Sequence, residues 1–122
     1  MIFPATVLAN FDAGTEAYGR GDYVSARNAW LPLARQGDSA AQFSLGVVYS
    51  EGLGVNADYA EAAKWYTLAA RQGVIAAQFT LGVMYAQGLG VAANHAQSAR
   101  WYDKAARQGD SDAQFALGLL HS

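Results

Sequence analysis

The residues that could do nucleophilic or acid–base chemistry are few and scattered along the 122-residue chain. The absence of cysteine excludes thiolate nucleophiles, disulfides and thiolate metal sites. The two histidines, His95 and His121, lack the spacing of paired metal ligands, such as two histidines four residues apart on one helix. Most carboxylates lie at expected helix starts and in loops. We therefore predict no catalytic residue, metal site or cofactor, and we expect that the chain is not an enzyme.

Two Gly-Leu-Gly-Val strings, at residues 52–55 and 88–91, invite comparison with phosphate-binding loops. Each is expected to follow a helix, however, and each lacks both a third glycine and the lysine of a P-loop. A net charge of −2 gives no overall field that would attract a phosphate backbone. We interpret the strings as turns and expect no nucleic-acid partner.

The elements that position these residues are predicted to be helices. Hydrophobic residues make up 52% of the chain and charged residues 15%, which is typical of one packed domain over residues 1–122. With two prolines, thirteen glycines and no alternating apolar pattern, the composition favours helices separated by glycine-containing turns.

An internal repeat of 36 residues organises most of the chain. Periods of this length are typical of helical solenoids. Apolar residues recur three and four positions apart on both sides of the glycine-rich loop, which indicates two amphipathic helices in each repeat. The strings that recur are Arg-Gln-Gly at residues 35–37, 71–73 and 107–109, Ala-Gln-Phe at 41–43, 77–79 and 113–115, and Trp-Tyr at 65–66 and 101–102.

Local signals predict where the helices begin and end. The first helix of a repeat should run from about Ser39 to Glu51 and stop at Gly52, which can adopt a positive φ. The second should start near Tyr59, after the capping residue Asp58, and Asn94 plays the same role one repeat later. Glycines within the first helices should mark close helix contacts, because they lower helix propensity. These glycines are Gly46, Gly82 and Gly118.

The two ends depart from this regular pattern. We divide the chain into an opening hairpin (11–36), two full repeats (37–72 and 73–108) and the first helix of a further repeat (109–122), or about 3 to 3.5 repeats. Pro32 predicts a kink or a late start in the second helix of the opening hairpin.

The apolar segment Ile2–Ala9 is too short to span a membrane. Its end, Val7–Ala9, is compatible with signal-peptidase cleavage, although the segment could equally cap the first hairpin. Both a cytoplasmic and an exported location therefore remain open.

The repeated strings resemble those of the Sel-one-like repeat family, a relative of the tetratricopeptide repeats. They are Ala-Gln-x-x-Leu-Gly-x-x-Tyr, Gly-x-Gly-Val, Ala-x-x-Trp-Tyr-x-x-Ala-Ala and Arg-Gln-Gly. This resemblance implies an all-α solenoid, a right-handed superhelix of antiparallel helical hairpins whose first helices line a concave face. It also implies a role in assembling protein complexes and no shared reaction. A cysteine-rich branch of the family has been linked to β-lactam binding, which we do not transfer to a chain without cysteine.

On this reading, a peptide or helix of a partner protein binds in the concave groove. Stacked repeats would align Phe43, Phe79 and Phe115 in a row that could hold an apolar segment. The alternative is that these rings pack between repeats and extend the core. The candidate groove residues are Phe43, Val47, Glu51, Phe79, Val83, Gln87, Phe115 and Leu119, with Ser50 and Ala86 beside them.

Two other functions remain open. Phe115, Leu119 and Leu120 lie in a last helix that has no partner helix in the repeat pattern, so this end could self-associate as a homodimer. It could also be covered by another protein or by further residues of a longer chain. Carboxylates of different repeats could converge in the groove, which makes a small-molecule or glycan binder the least favoured alternative.

Overall fold

The structure, a computed structural model, describes the backbone of residues 3–120 and the side chains of residues 10–120. This part of the chain contains seven α-helices and no β-strand, so the all-α prediction is confirmed. Ile2, His121 and the side chains of Val7–Ala9 lie outside the described residues. The helices are α1 (Phe3–Gly19), α2 (Tyr23–Arg35), α3 (Ser39–Glu51), α4 (Tyr59–Arg71), α5 (Ile75–Gln87), α6 (His95–Arg107) and α7 (Ser111–Leu120).

Each helix packs mainly against the helices before and after it in the chain. Helices α1 and α2, α3 and α4, and α5 and α6 therefore form three successive hairpins, and α7 packs on α6. We call α1, α3, α5 and α7 the first helices, and α2, α4 and α6 the second helices. A stack in which each unit touches only its neighbours is the defining property of a solenoid.

The predicted limits of the helices in the full repeats are confirmed. Helix α3 spans Ser39–Glu51 and ends at Gly52, whose φ is 68°. Helix α4 starts at Tyr59, and the carboxylate of Asp58 accepts a hydrogen bond from the backbone N–H of Glu61 at 3.0 Å. One repeat later the side chain of Asn94 accepts from the N–H of Gln97 at 3.1 Å.

Two of the three glycines that the sequence predicts at close helix contacts, Gly46 and Gly82, do mark one. A Cβ at Gly46 would lie 2.5 Å from the ring of Tyr66, and one at Gly82 would lie 2.5 Å from the ring of Tyr102. The prediction is wrong for Gly118, where a Cβ would meet nothing within 4 Å. The tyrosine that faces the other two comes from the second helix of the same hairpin.

The Gly-Leu-Gly-Val strings are turns, as expected, and they also join neighbouring hairpins. The loop at 52–55 lies against the start of α2, because a Cβ at Gly54 would be 3.1 Å from the backbone nitrogen of Val24. In the next loop, Gly90 lies against the backbone carbonyl of Tyr59 at the start of α4. Leu53 and Val55 pack into the core of the preceding hairpin, so the loops fix the spacing between repeats.

Buried glutamines connect successive hairpins. The side chain of Gln42 donates to the carbonyl of Ala34 at 3.1 Å and accepts from the amide of Gln72 at 2.9 Å. Gln78 repeats both bonds, since it donates to the carbonyl of Ala70 at 3.1 Å and accepts from Gln108 at 2.7 Å. The bonds to Ala34 and Ala70 join successive hairpins, whereas the bonds between two glutamines lie within one hairpin. Because buried amides must be hydrogen-bonded, this ladder favours one register of the stack.

The opening hairpin differs from the prediction at both of its helices. Helix α1 begins at Phe3, eight residues before the predicted start at Phe11. The expected late start of the second helix is wrong, since α2 begins at Tyr23 and Pro32 lies near its end. Asp22 caps this helix, and the hydrogen bonds from Ser25 hold the pKa of its carboxyl below the usual value.

Candidate protein-binding groove

We call the exposed sides of α1, α3, α5 and α7 the first-helix face. The predicted groove residues lie on it with different degrees of exposure. Four are half-buried, namely Phe43, Val47, Phe79 and Val83, while Glu51 and Gln87 are exposed. At the far end, Phe115 is 71% exposed and Leu119 is 61% exposed.

The choice of Phe43 and Phe79 as groove residues assumes that they do not pack on the second helices, and this assumption is wrong. The ring of Phe43 lies 5.5 Å from that of Tyr66, and Phe79 lies 5.5 Å from Tyr102. Both rings therefore contribute to the contact within their own hairpin. They are also not fully covered, so the row of phenylalanines as a binding surface stays a prediction.

A cavity of about 250 Å³ opens on the first-helix face between α1 and α3. We call it the Trp30 cavity. It contains Phe43 and Val47, two of the predicted residues. Its lining residues are Thr15, Tyr18, Trp30, Phe43, Ser44 and Val47.

The side of the cavity that belongs to the opening hairpin was not predicted from the sequence. Tyr18 and Thr15 come from α1, which is not aligned by the 36-residue shift because its loop is shorter. Trp30 could have been found, since it stands 36 residues before Tyr66 and 72 before Tyr102. The signal was therefore a bulky aromatic residue that recurs at one position of the repeat.

The aromatic walls of the Trp30 cavity are held in place by their neighbours. The ring of Tyr18 packs against Tyr23 at 5.3 Å and against Trp30 at 5.8 Å. The indole of Trp30 is buried, and its Nε1 donates to the backbone carbonyl of Phe11 at 3.2 Å. The walls are thus formed before any ligand arrives, which lowers the entropic cost of binding.

The chemistry of this cavity is mainly apolar. The hydroxyl of Thr15 donates to the carbonyl of Phe11 at 3.1 Å, so its proton, like that of the Trp30 indole, is already used. A volume of about 250 Å³ is smaller than the roughly 300–1,000 Å³ of sites for small molecules. The cavity suits one or two apolar side chains of a larger ligand. Among the described residues no group of His, Cys, Asp and Glu could hold a metal ion.

A second cavity, of about 370 Å³, lies outside the first-helix face. It is a more open depression between α4 and the loop that contains Val91. It contains no predicted groove residue, and its rim carries the exposed cations Lys64 and Arg71. Lys64 forms an ion pair with Glu61 at 3.5 Å within the same helix.

The C-terminal end of the stack corrects one further prediction. Leu120 was expected to lack cover, yet it is half-buried and packs with the cluster around Tyr102 and Ala105. Helix α7 turns this residue toward α6, whereas Phe115 projects from the other side of the helix. In the described part of the chain, no helix is both long and apolar enough to cross a membrane.

Comparison with known proteins identifies the family. The sequence profile of the Sel1 repeat matches residues 39–74, 75–110 and 111–122, which together make up more than half of the chain. No curated protein matches the sequence. Sel1 repeat proteins are generally protein-interaction scaffolds, and the helical repeats that form their fold are non-catalytic.

Solved structures agree with this match. A Sel1 repeat protein from Oxalobacter formigenes is 36% identical, with a TM-score of 0.84 over 90% of this chain. The protective antigen c5321 of uropathogenic Escherichia coli, which displays an SLR fold, is 38% identical, with a TM-score of 0.85 over 91%. The chain spans 45% and 25% of the lengths of these two proteins.

A more distant structure supports the fold alone. Cysteine rich protein B of Helicobacter pylori is 20% identical, with a TM-score of 0.73 over 91% of this chain and 94% of that protein. The resemblance noted in the repeated strings is thereby confirmed. The chain belongs to the Sel1 repeat family.

Proposed function

We propose that this chain binds a peptide or helix of another protein along its first-helix face, with an apolar side chain of the ligand inserted into the Trp30 cavity. The observation that carries this proposal is the cavity itself. It is preformed, apolar and lined by Tyr18, Trp30 and Phe43. Aromatic pockets of this kind commonly hold the residues that contribute most to the affinity of a protein interface.

The size and position of the cavity favour a polypeptide over a small molecule. A cavity of about 250 Å³ holds one or two apolar side chains, and the rest of the ligand can then extend along the half-buried Phe79 and Val83. Helical ligands and extended peptides both place apolar residues at regular intervals along such a groove. The general role of Sel1 repeat proteins as interaction scaffolds supports the same conclusion.

A matched pair of valine variants tests the proposal. Val47 lines the Trp30 cavity, whereas Val24 lies on the exposed side of α2. Peptides would be selected from a displayed random library on the wild-type chain, and their dissociation constants measured for Val47→Gln and Val24→Gln. We expect Val47→Gln to weaken binding at least tenfold, because its longer polar side chain fills the cavity mouth, and Val24→Gln to leave binding unchanged.

Thermal melts accompany these measurements, so that a loss of binding is not confused with a loss of folding. Peptides that bind equally to both variants would overturn the proposal, as would a library that yields no binder. Because the substitution is neutral, the comparison is independent of charge.

Self-association through α7 is a second candidate, favoured by the exposure of Phe115. Symmetric dimers, in which the same surface of both copies forms the interface, are the most common homo-oligomers. Sedimentation equilibrium over a hundredfold concentration range would show a wild-type dimer that Phe115→Asp converts to a monomer. A wild-type chain that remains monomeric throughout would exclude this candidate.

We also infer that the chain has no catalytic activity of its own. The Trp30 cavity contains hydroxyl groups and no carboxylate, imidazole or amine that could serve as a general acid or base.

A further inference from the structure

The charged side chains are divided between the two kinds of helix. None of the eight lysines and arginines lies in a first helix, and seven of them lie in the second helices. The first helices contain four carboxylates, namely Asp12, Glu16, Glu51 and Asp112. The basic residues of the second helices are Arg27, Arg35, Lys64, Arg71, Arg100, Lys104 and Arg107.

Two of these carboxylates flank the Trp30 cavity. Asp12 lies one turn before Thr15 on α1, and Glu51 lies one turn after Val47 on α3. Residues three or four apart share a helix face, so both acids are on the side of their helix that bears the cavity. As the first helices of successive hairpins, α1 and α3 run in the same direction. Asp12 precedes the lining residues of α1 and Glu51 follows those of α3, so the two acids stand toward opposite ends of the opening.

The structure leaves both carboxylates exposed. Among the described residues, the ion pairs Lys64–Glu61 and Arg107–Asp103 both lie within second helices. Arg20, the remaining cation, follows α1 and acts on Asp22, whose pKa is lowered mainly by Ser25 and to a smaller extent by this arginine. The groove therefore offers negative charge that the described cations do not neutralise.

We propose that the ligand of the Trp30 cavity is a basic peptide, in which one large apolar residue is flanked on both sides by lysine or arginine. This inference rests on the proposed function and specifies the partner that the site accepts. The apolar residue enters the cavity, and its flanking cations lie beside Asp12 and Glu51. Such complementarity raises the rate of encounter and disfavours acidic competitors.

Synthetic peptides of one length separate this inference from the proposed function. Each has one central leucine, and four flanking positions are all Lys, all Gln or all Glu; a fourth peptide has Lys flanks around a central alanine. Dissociation constants would be measured by fluorescence polarisation at about 50 mM and about 500 mM salt, since the Debye length falls from over 10 Å to about 4 Å between them.

We expect the Lys–Leu peptide to bind at least tenfold more tightly than the Gln–Leu peptide at low salt, and the advantage to shrink at high salt. The Glu–Leu and Lys–Ala peptides should bind weakly. Asp12→Asn and Glu51→Gln should each weaken the Lys–Leu peptide about two- to fivefold, as expected for exposed charge pairs. Glu61→Gln, on the second helix α4, is the matched control and should leave its affinity unchanged.

The outcomes distinguish the basic-peptide inference from the proposed function on which it rests. Equal binding of the Lys–Leu and Gln–Leu peptides, with loss of both in Val47→Gln, would overturn the basic-peptide inference and support the proposed function. Equal binding of the Lys–Leu and Lys–Ala peptides would show only unspecific attraction and would overturn the inference. A Lys–Leu peptide that fails to bind would overturn the inference as well, while the library selection decides the proposed function independently.

Discussion

Phe43 and Phe115 occupy the same position of the repeat, but their rings differ in exposure to solvent. Phe43 is half-buried between the Trp30 cavity and the ring of Tyr66, whereas Phe115 is 71% exposed. The local sequence Ala-Gln-Phe is identical at both sites. What differs is the neighbourhood, because Phe43 has helices on both sides and α7 is the last helix described. The place of a repeat in the stack thus decides which of its residues are available for binding.

Neighbouring residues also distinguish the levels of the groove, by which we mean the successive hairpins α1–α2, α3–α4 and α5–α6. Trp30 at the first level is replaced by Tyr66 and Tyr102 at the next two. At the second level, the hydroxyl of Ser50 lies 3.3 Å from that of Tyr66, whereas the first level has the ring of Tyr18 beside Trp30. A chain built from similar repeats therefore obtains one distinctive cavity from its least regular hairpin.

The largest difference between the middle and the end of the stack is expected at the helical glycines. Gly46→Ala places a methyl group against the ring of Tyr66, so it should lower the free energy of unfolding by about 1–3 kcal/mol. Gly118→Ala meets open space and should raise it by up to about 1 kcal/mol, through helix propensity alone. Urea denaturation of both variants checks the pair. A neutral Gly46→Ala would show that the hairpins are less tightly packed than the structure indicates.

The sequence predicted the regular part of the fold well because the repeats confirm one another. The limits of α3 and the caps at Asp58 and Asn94 depend on local patterns, which two copies report independently. Helix α1 was placed too late, since the N-terminal apolar segment has no counterpart in another repeat.

The candidate site was only half predicted, for a related reason. Periodicity identified the groove positions Phe43 and Val47, but the cavity depends on packing between α1 and α3, which lie in different hairpins. The sequence also did not reveal that Phe43 and Phe79 contact the second helices. Which side of a half-buried ring faces solvent follows from the angle between two helices, and a repeat pattern does not contain that angle.

The phenylalanines themselves give the next prediction. Phe43→Ala should lower the free energy of unfolding by roughly 2 kcal/mol, about half the cost for a fully buried ring. Phe115→Ala should change it by less than about 0.5 kcal/mol, because most of the ring is already in solvent. Thermal and urea melts of the two variants make the comparison. Equal losses would mean that the last helix is covered in solution, for example by a second copy of the chain.

The smallest expected effect concerns the ionisation of two buried tyrosines, Tyr66 and Tyr102. Burial raises the pKa of Tyr66 above its usual value of about 10, and the negative charge of Glu51 adds to this despite an opposing hydrogen bond from Ser50. Burial likewise raises the pKa of Tyr102, whose hydrogen bond with Ser98 acts in the opposite direction. At that next level Gln87 stands in the place of Glu51, so the acidic contribution is absent.

The sign of the effect on stability follows from these directions. Above about pH 10 the unfolded chain loses the tyrosine proton while the folded chain keeps it, so stability is full below that pH and falls as the pH rises. Tyr66→Phe should therefore flatten the decline in unfolding free energy between about pH 9.5 and 11.5, and Tyr102→Phe should flatten it less. Glu51→Gln should reproduce part of the Tyr66→Phe effect, because it introduces the glutamine that the next repeat has at this position, Gln87. Slopes that are equal in the wild type and in Glu51→Gln would show that this carboxylate points away from Tyr66.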